Sequence, residues 1–296
     1  MKITVHADDM GLSASATEKI VEIHRQGRLD RASIIPNGEA FLRAVSALKE
    51  NEGLDWSVHL NLVEGRALCD PDQVPLLVDR AGRFRRTFLT LWLVHNLAPW
   101  LRMRLLAQIE REIEAQIRRT TEALPGRAIT VDSHQHVHHL PFVFKLLLRR
   151  SRAWGIEAIR VAREPLVLPP PTRQGLSCLC SANLLKYVVL RTFSRRCLRA
   201  SRGAGVRHPD YLVGVLFSGK MSLDVIRRTL RSIAARHGGG DPEVELVFHP
   251  CPANRRELTR WGTLARNRRF YASRDRHAEV RTLMAQDFRR CLARIT

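Results

Sequence analysis

The stretch "AITVDSHQHVHHLP", residues 128–141, decides how the chain is read. It opens on a short apolar and β-branched run, as a buried strand requires. That run leads straight into Asp132 and four histidines, His134, His136, His138 and His139, out of twelve in the chain. Read as an extended segment, it places His134, His136 and His138 on one face. An apolar strand that ends in metal-competent side chains is the pattern of a parallel sheet whose carboxyl ends face a site.

The same pattern recurs outward along the chain. "KITVHA" (2–7) predicts a first strand and "DDMGLS" a loop, followed by a helix over Ser15 to Gln26. Ser15 and Glu18 have capping-box spacing, and Gly27 is a helix stop. "RASIIP" predicts a second strand and Phe41 to Glu50 a helix. "DWSVHLNL" alternates as a third strand, with Trp56, Val58, Leu60 and Leu62 on one face and Ser57, His59 and Asn61 on the other. Residues 105–123 read as an amphipathic helix ended by Pro125-Gly126, and a further helix runs from the histidines to about Trp154. "EAIRVA" and "EVELVFH" are later strands, Ser222 to Arg236 is helical, and the final helix begins near Ala278. Strands alternating with helices predict a parallel α/β sheet, open or closed into a barrel. The expected organisation is one domain over residues 1–296, with insertions at about 83–104 and 166–207.

Four predicted strand ends carry the unusual polar residues: Asp8-Asp9, His59, the run from Asp132 to His138, and His249. Taken singly, each has a plain use, as a helix cap, a core histidine or an exposed loop residue. Taken together, they suit a two-histidine, one-carboxylate centre for a divalent cation with positions left for water and substrate. Such a cation polarises a carbonyl and acidifies its water. Neighbouring carboxylates on an extended chain point different ways, so one can bind metal while the other takes a proton. A histidine across the site can then protonate a leaving amine. These are the requirements of amide hydrolysis.

Composition bounds the partners. The formal net charge is +20, unevenly spread. Residues 1–80 hold 9 Lys/Arg against 13 Asp/Glu, and residues 144–207 hold 14 against 2. This asymmetry has two readings, contact with a polyanion or a solvated cationic face. Residues 144–207 contain only Phe144, Trp154, Tyr187 and Phe193 as aromatics, too few for base stacking, so no nucleic-acid partner is expected. "TFLTLWLVHNLAPWL" (87–101) and "LSCLCSANLLKYVVLRTF" (176–193) are apolar segments beside arginines. Both are too short or too interrupted to span a bilayer. They read either as interfacial segments on anionic lipid or as helices packed on the barrel with snorkelling arginines. "MKITVHADD" has no secretory-leader pattern, and the six scattered cysteines are expected to be reduced, so a cytoplasmic location is expected.

In order and spacing, "HADDMGLS", "SVHLNLVEG", "VDSHQHVHHLP", "IRVAREP" and "ELVFHP" resemble the YdjC-like carbohydrate deacetylases, a family with chito-oligosaccharide and hopanoid-associated members. The resemblance runs from the N-terminus to about residue 165 and resumes near "HPDYLVG" and "ELVFHP". It implies a distorted (β/α) barrel of the polysaccharide-deacetylase-like type. It also implies metal-dependent removal of an N-acetyl group from an amino sugar. Carried over by residue, it implies Asp9, His59 and His134 as metal ligands, Asp8 as general base and His249 as general acid. His136, His138, Asn61, Arg160 and Arg163 are implied near the substrate, and Arg160 and Arg163 are alternatively partners of Asp8 or plain surface charge. The cation is expected to be Mg²⁺ or Zn²⁺, with Mn²⁺ and Co²⁺ also compatible. His6 and Met10 depart from the family's usual residues, His6 read as a spacer or an extra ligand. With the apolar, arginine-flanked segments, the expected substrate is a lipid-linked or glycolipid sugar at the cytoplasmic membrane face, the enzyme being peripheral; the sequence leaves the oligomeric state open, a homodimer included. The alternatives are a metal hydrolase of another amide or ester, and a basic nucleic-acid-binding protein with a non-catalytic barrel.

Overall fold

In a computed structural model of the chain, the described residues are 1–168, 182–237, 240–250, 255–261, 271 and 274–295. Seven strands form one sheet: β1 (Lys2–Met10), β2 (Arg31–Ile34), β3 (Asp55–Leu60), β4 (Ile129–Ser133), β5 (Ile156–Ile159), β6 (Tyr211–Val213) and β7 (Glu243–Phe248). Their spatial order is β5-β4-β3-β2-β1-β7-β6, and every pairing is parallel. The helices are α1 (Ala14–Arg25), α2 (Phe41–Glu50), α3 (Phe88–Leu97), α4 (Pro99–Ala123), α5 (Pro141–Trp154), α6 (Ala182–Ser201), α7 (Leu223–His237), α8 (Arg255–Trp261), α9 (Arg274–Met284) and α10 (Phe288–Ala293).

The sheet curls until its edges meet. Leu212 N–H donates to the Arg163 carbonyl at 3.1 Å, and Arg207 exchanges bonds of 2.8 and 2.9 Å with the Glu157 carbonyl and the Ile159 N–H. These few bonds close what is otherwise an open edge, so the barrel is distorted at the β5–β6 seam. Both faces of the strands are buried, as parallel sheets demand. Hence Ser57, His59 and Asn61 are as buried as Trp56, Val58 and Leu60. The two predicted faces of β3 are therefore both interior, one toward the helices and one toward the barrel lumen.

Three local expectations change. α1 is capped by Ser13, whose Oγ accepts from Ala16 N–H at 3.1 Å, and not by Ser15. Ser15 is taken instead by Glu257, which accepts from its N–H at 3.1 Å and from its Oγ at 2.6 Å. α4 begins at Pro99 and not near 105, because a proline at the first helical position has no N–H to leave unpaired. The chain's end holds two helices, α9 and α10, the first starting four residues before the expected Ala278. Of the apolar stretch 176–193, residues 176–181 lie outside the described residues, as do Cys178, Cys180 and Cys251. Cys69, Cys197 and Cys291 are free thiols.

α4 fixes the loop that follows β3. Gln108, Glu112 and Gln116 are spaced one turn apart and form a polar stripe on an otherwise apolar face. Gln116 accepts from Asn61 N–H at 2.8 Å and donates to the Asn61 carbonyl at 2.6 Å. Glu112 accepts from Leu68 N–H and Cys69 N–H, both at 3.0 Å, and Gln108 accepts from Leu76 N–H at 2.8 Å. A loop backbone that would otherwise be orphaned in the core is thus paired by one helix. Gln116→Leu is expected to cost about 2–3 kcal/mol by leaving the Asn61 backbone unpaired. Urea unfolding measures it, and a loss below about 0.5 kcal/mol would show that the loop holds itself.

Candidate active site

The carboxyl ends of β1, β3, β4 and β7 converge in the barrel lumen. Asp8 and Asp9 stand at the end of β1, His59 near the end of β3, Asp132 in β4, His134 just beyond it, and His249 directly after β7. Asp9 has φ 73°, a left-handed conformation that is costly for a residue with a Cβ. This twist separates the two carboxylates, sending Asp8 and Asp9 to different partners.

Asp9 Oδ1 lies 2.9 Å from His134 Nδ1 and 3.6 Å from His59 Nε2, while its Oδ2 accepts two bonds of 3.2 Å from Arg276. Burial alone would raise the Asp9 carboxyl, but His134, Arg276 and His59 hold it well below the usual carboxylate range. Burial would lower His134, but Asp9 and Glu64 reverse this and lift it to about 10.

One ligand atom each from Asp9, His59 and His134 falls within 4.8 Å of the others. Each imidazole is backed by a carboxylate through its other nitrogen. His59 Nδ1 lies 2.6 Å from Asp132 Oδ1, and His134 Nε2 lies 3.2 Å from Glu64 Oε2. That arrangement fixes the ring and its tautomer for a metal. Two other acidic groupings, His6 with Asp132 and Glu245, and Asp8 with His59 and Asp132, have ligand-like spacing. In these, Arg160 holds both oxygens of Asp8, and Asp132 is taken up by His59, Arg160 and Ser33, whereas Arg276 engages only Oδ2 of Asp9 and leaves Oδ1 toward the two imidazoles. The donor set of Asp9, His59 and His134 therefore fits a divalent cation best.

Arg160, just past β5 and 1% exposed, is the counter-ion of the lumen. Its Nη1 donates to both oxygens of Asp8 at 3.0 Å, and its Nη2 lies 2.8 Å from Asp132 Oδ2 and 2.7 Å from Glu245 Oε1. Burial raises the carboxyl of Asp132, but Arg160 and His59 pull it well below its usual range. Ser33 Oγ stands 3.0 Å from Asp8 Oδ1 and 2.7 Å from Asp132 Oδ2. His6 sits beneath them, its Nδ1 2.5 Å from Glu245 and its Nε2 2.6 Å from Ser33. It therefore lies outside the Asp9 grouping. On the opposite side of Asp8, His249 Nε2 is 3.8 Å from Asp8 Oδ2, with its side chain 12% exposed. Glu279 holds it through the His249 N–H at 2.6 Å.

The histidine run is not extended. Residues 134–139 form a tight, kinked turn, with Gln135 at φ 52° and His136 at φ 57°, both left-handed. The four rings consequently separate. His134 faces Asp9. His138 is fully buried, with Nδ1 bonded to Ser133 Oγ and Nε2 2.9 Å from the Arg160 carbonyl. Burial drives the His138 ring down to about 4, so it is a neutral brace. His139 is also buried and accepts from Ala162 N–H at 2.8 Å. His136 is buried too, and its Nδ1 has no hydrogen-bond partner among the described residues. Burial and the nearby Lys186 hold its ring well below the usual histidine range.

Asn61 is occupied by the fold: its amide donates to the Glu64 carbonyl at 2.7 Å and its Oδ1 accepts from Val63 and Glu64 N–H. Arg163 is exposed, its guanidinium over the Tyr211 ring at 4.9 Å. Of the residues singled out in the sequence, Asp8, Asp9, His59, His134, Arg160 and His249 are thus brought together. Asn61, His138 and Arg163 are engaged elsewhere.

The C-terminal segment supplies residues that sequence reasoning missed. Tyr271 O–H donates to Glu64 Oε2 at 2.8 Å and lies 2.8 Å from His134 Nε2, and Trp261 Nε1 donates to the same carboxylate at 3.1 Å. Glu64 stands within the quoted "LNLVEG" motif, which was its available signal. Trp261, Tyr271, Arg276 and Glu279 had none. Gly65, at φ 72°, lies against the indole: a Cβ there would meet Trp261 Cζ3 at 2.6 Å.

Residues 2–294 match the family model described as YdjC-like protein. The chain is 35% identical to a carbohydrate deacetylase of Brevibacillus brevis over 157 residues, 53% of this chain and 58% of that protein. It thus spans less than two thirds of that relative's length. It is 32% identical to a carbohydrate deacetylase of Listeria welshimeri over 253 residues, 85% of this chain and 82% of that one. A solved structure from Enterococcus faecalis V583, named for cellobiose-phosphate cleavage, matches at a TM-score of 0.66 and 20% identity, covering 99% of this chain and 94% of that one. That likeness speaks to the fold.

Two substitutions test this geometry. Arg160→Met strands three buried carboxylates and is expected to destabilise the fold by about 3–5 kcal/mol in urea unfolding. A loss under about 1 kcal/mol would mean that water or other cations serve those carboxylates. Gly65→Ala is expected to cost about 1–3 kcal/mol by overpacking and to shift the emission of Trp261. An unchanged spectrum at unchanged stability would place the indole elsewhere.

Proposed function

The chain belongs to the YdjC-like family, and we propose that it is a divalent-metal-dependent deacetylase that hydrolyses the N-acetyl group of an amino sugar. The observation that carries the reading is the split of the Asp8-Asp9 pair. Asp9 turns toward His59 and His134, while Asp8 turns toward Arg160 and His249. A ligand set and an acid–base pair thus stand side by side, which amide hydrolysis needs and a purely structural ion-pair cluster does not.

Asp9, His59 and His134 would hold the cation, which supplies carbonyl polarisation and an acidified water when bound. Asp8 accepts the proton of the attacking water, with Arg160 and Ser33 fixing its carboxylate. The water oxygen bonds to the acetyl carbon, the C–N bond breaks, and His249 gives its proton to the departing sugar nitrogen. Acetate and the free amine are the products. His136, with an uncommitted ring nitrogen, is the residue of the histidine turn best suited to a sugar hydroxyl. Arg160 serves through Asp8, and Asn61 and His138 support the loops of the site.

The sugar is proposed to be lipid-linked and presented at the cytoplasmic face of a membrane. What supports this is the cationic, apolar flank formed by α3 to α6. Among the described residues no helix is long and apolar enough to cross a bilayer, so a peripheral contact is the form this would take.

Acetate release from free and lipid-linked N-acetylglucosamine, with and without chelator, tests the reading. Chelator-sensitive release is expected, with Asp9→Ala and Asp8→Asn each lowering kcat/KM by at least about a thousandfold. Titration calorimetry of Zn²⁺ or Mn²⁺ is expected to lose its signal in Asp9→Ala and keep it in Asp8→Asn. Release that survives chelator and Asp9→Ala would overturn the metal assignment. Metal binding without release would redirect the site to another amide or an ester.

A further inference from the structure

A cavity of about 430 Å³ lies between α3, α4, α5 and α6, and none of the strand-end acids or histidines lines it. Trp92, Leu106, Phe142 and Leu146 give it an apolar wall, while Lys145, Arg149 and Arg196 are its cationic members. Arg149 is paired with Glu110 at 3.1 Å. Lys145 and Arg196 have no carboxylate at ion-pair distance among the described residues. Neither α3, α5 nor α6 contains an aspartate or glutamate. His95 stacks flat on Phe142 with centroids 3.9 Å apart, and its Nδ1 is buried with no hydrogen-bond partner among the described residues. The cavity therefore pairs uncompensated positive charge with an apolar wall and an unused polar nitrogen.

Its outer border is apolar where solvent should make it polar. At the α3–α4 corner Leu97 is 68% exposed, Trp100 74% and Met103 74%. Trp100, Met103 and Leu106 succeed one another at helical three-residue spacing, so the exposed strip on α4 leads into the cavity wall. Leu89, 59% exposed, continues the Trp92–Asn96 side of α3 in the same way. Arg102 and Arg104 flank the strip, and Arg102 Nε donates to the His95 carbonyl at 3.0 Å. Large exposed apolar groups with arginines beside them are a binding surface, not a solvated face. A second copy of the chain would set Lys145 and Arg196 against their own kind. A nucleic acid would leave the aliphatic groups unused.

We propose that the α3–α4 corner docks on an anionic bilayer, with Leu97, Trp100 and Met103 in the interfacial zone and Lys145 and Arg196 holding a lipid phosphate at the cavity. An indole at the headgroup boundary and cations beside it are the usual means of such contact. The inference rests on the membrane part of the proposed function and not on the bond that is cleaved.

The test is co-sedimentation of the full chain with phosphatidylcholine vesicles, with and without phosphatidylglycerol, in the absence of sugar and metal. Failure of the deacetylase reading therefore leaves its result untouched. Binding is expected only with phosphatidylglycerol and to weaken with salt. Trp100→Ser is expected to lower the partition coefficient about tenfold, and Lys145→Gln with Arg196→Gln about thirtyfold. All these side chains are exposed, so circular dichroism and acetate release from a soluble sugar are expected to stay at wild-type level. Vesicle binding that is unchanged in both variants would overturn the proposal. So would a dimer lost in Trp100→Ser with no vesicle binding, which would assign the face to a second copy. Saturable binding of inorganic phosphate without vesicle association would equally overturn it, leaving a site for a free anion.

Discussion

Everything at the centre of this barrel depends on one buried guanidinium. Arg160 reaches from the end of β5 across the lumen to carboxylates on β1, β4 and β7. Without it, three negative charges would share a space from which water is excluded, each lacking its main counter-charge. Its own backbone carbonyl accepts from His138, so the histidine turn is anchored to the residue that neutralises the lumen. The position of His134, and with it the whole ligand set, follows from that anchor.

A second constraint is directional. His59 and His134 each spend one nitrogen on a carboxylate, Asp132 and Glu64, and present the other to Asp9. Asp9 is in turn held from behind by Arg276. From β5 to α9 donors and acceptors alternate: guanidinium, carboxylates, imidazoles, carboxylate, guanidinium. Such alternation lets many ionisable groups be buried together, because each has an opposite neighbour.

How much of this could be read from sequence varies by element. β1, β3, β4 and β7 were legible because apolar runs ended in Asp8-Asp9, His59, Asp132 and His249, and four such ends together point to one site although each residue alone has a plain use. The turn at 134–139 was not legible. An alternating histidine run reads as extended, and no glycine marks the left-handed Gln135 and His136. The cap of α1 was misplaced by two residues because Glu257, which takes Ser15, lies 242 residues away. Trp261, Tyr271, Arg276 and Glu279 were invisible for the same reason: each meets partners far away in the sequence, and Trp261, Arg276 and Glu279 sit in short, arginine-rich helices with no local signal of their own. The long start of α4 was obscured because Pro99 and Trp100 look like part of an apolar linker.

The pairing of β1 with β7 has a consequence for biogenesis. Lys2 and Glu243, 241 residues apart, are joined across neighbouring strands, and Asp9 is completed by Arg276. While the chain is being synthesised, the first strand therefore lacks one of its two sheet neighbours until nearly the whole polypeptide has emerged. Asp9 likewise lacks the Arg276 counter-charge for most of that time. Contacts of such long range are slow to form and leave a strand edge open meanwhile. A ribosome that stalls just before β7 would yield a product with six strands' worth of hydrophobic sheet and no finished centre, a substrate for proteolysis instead of a partially active enzyme.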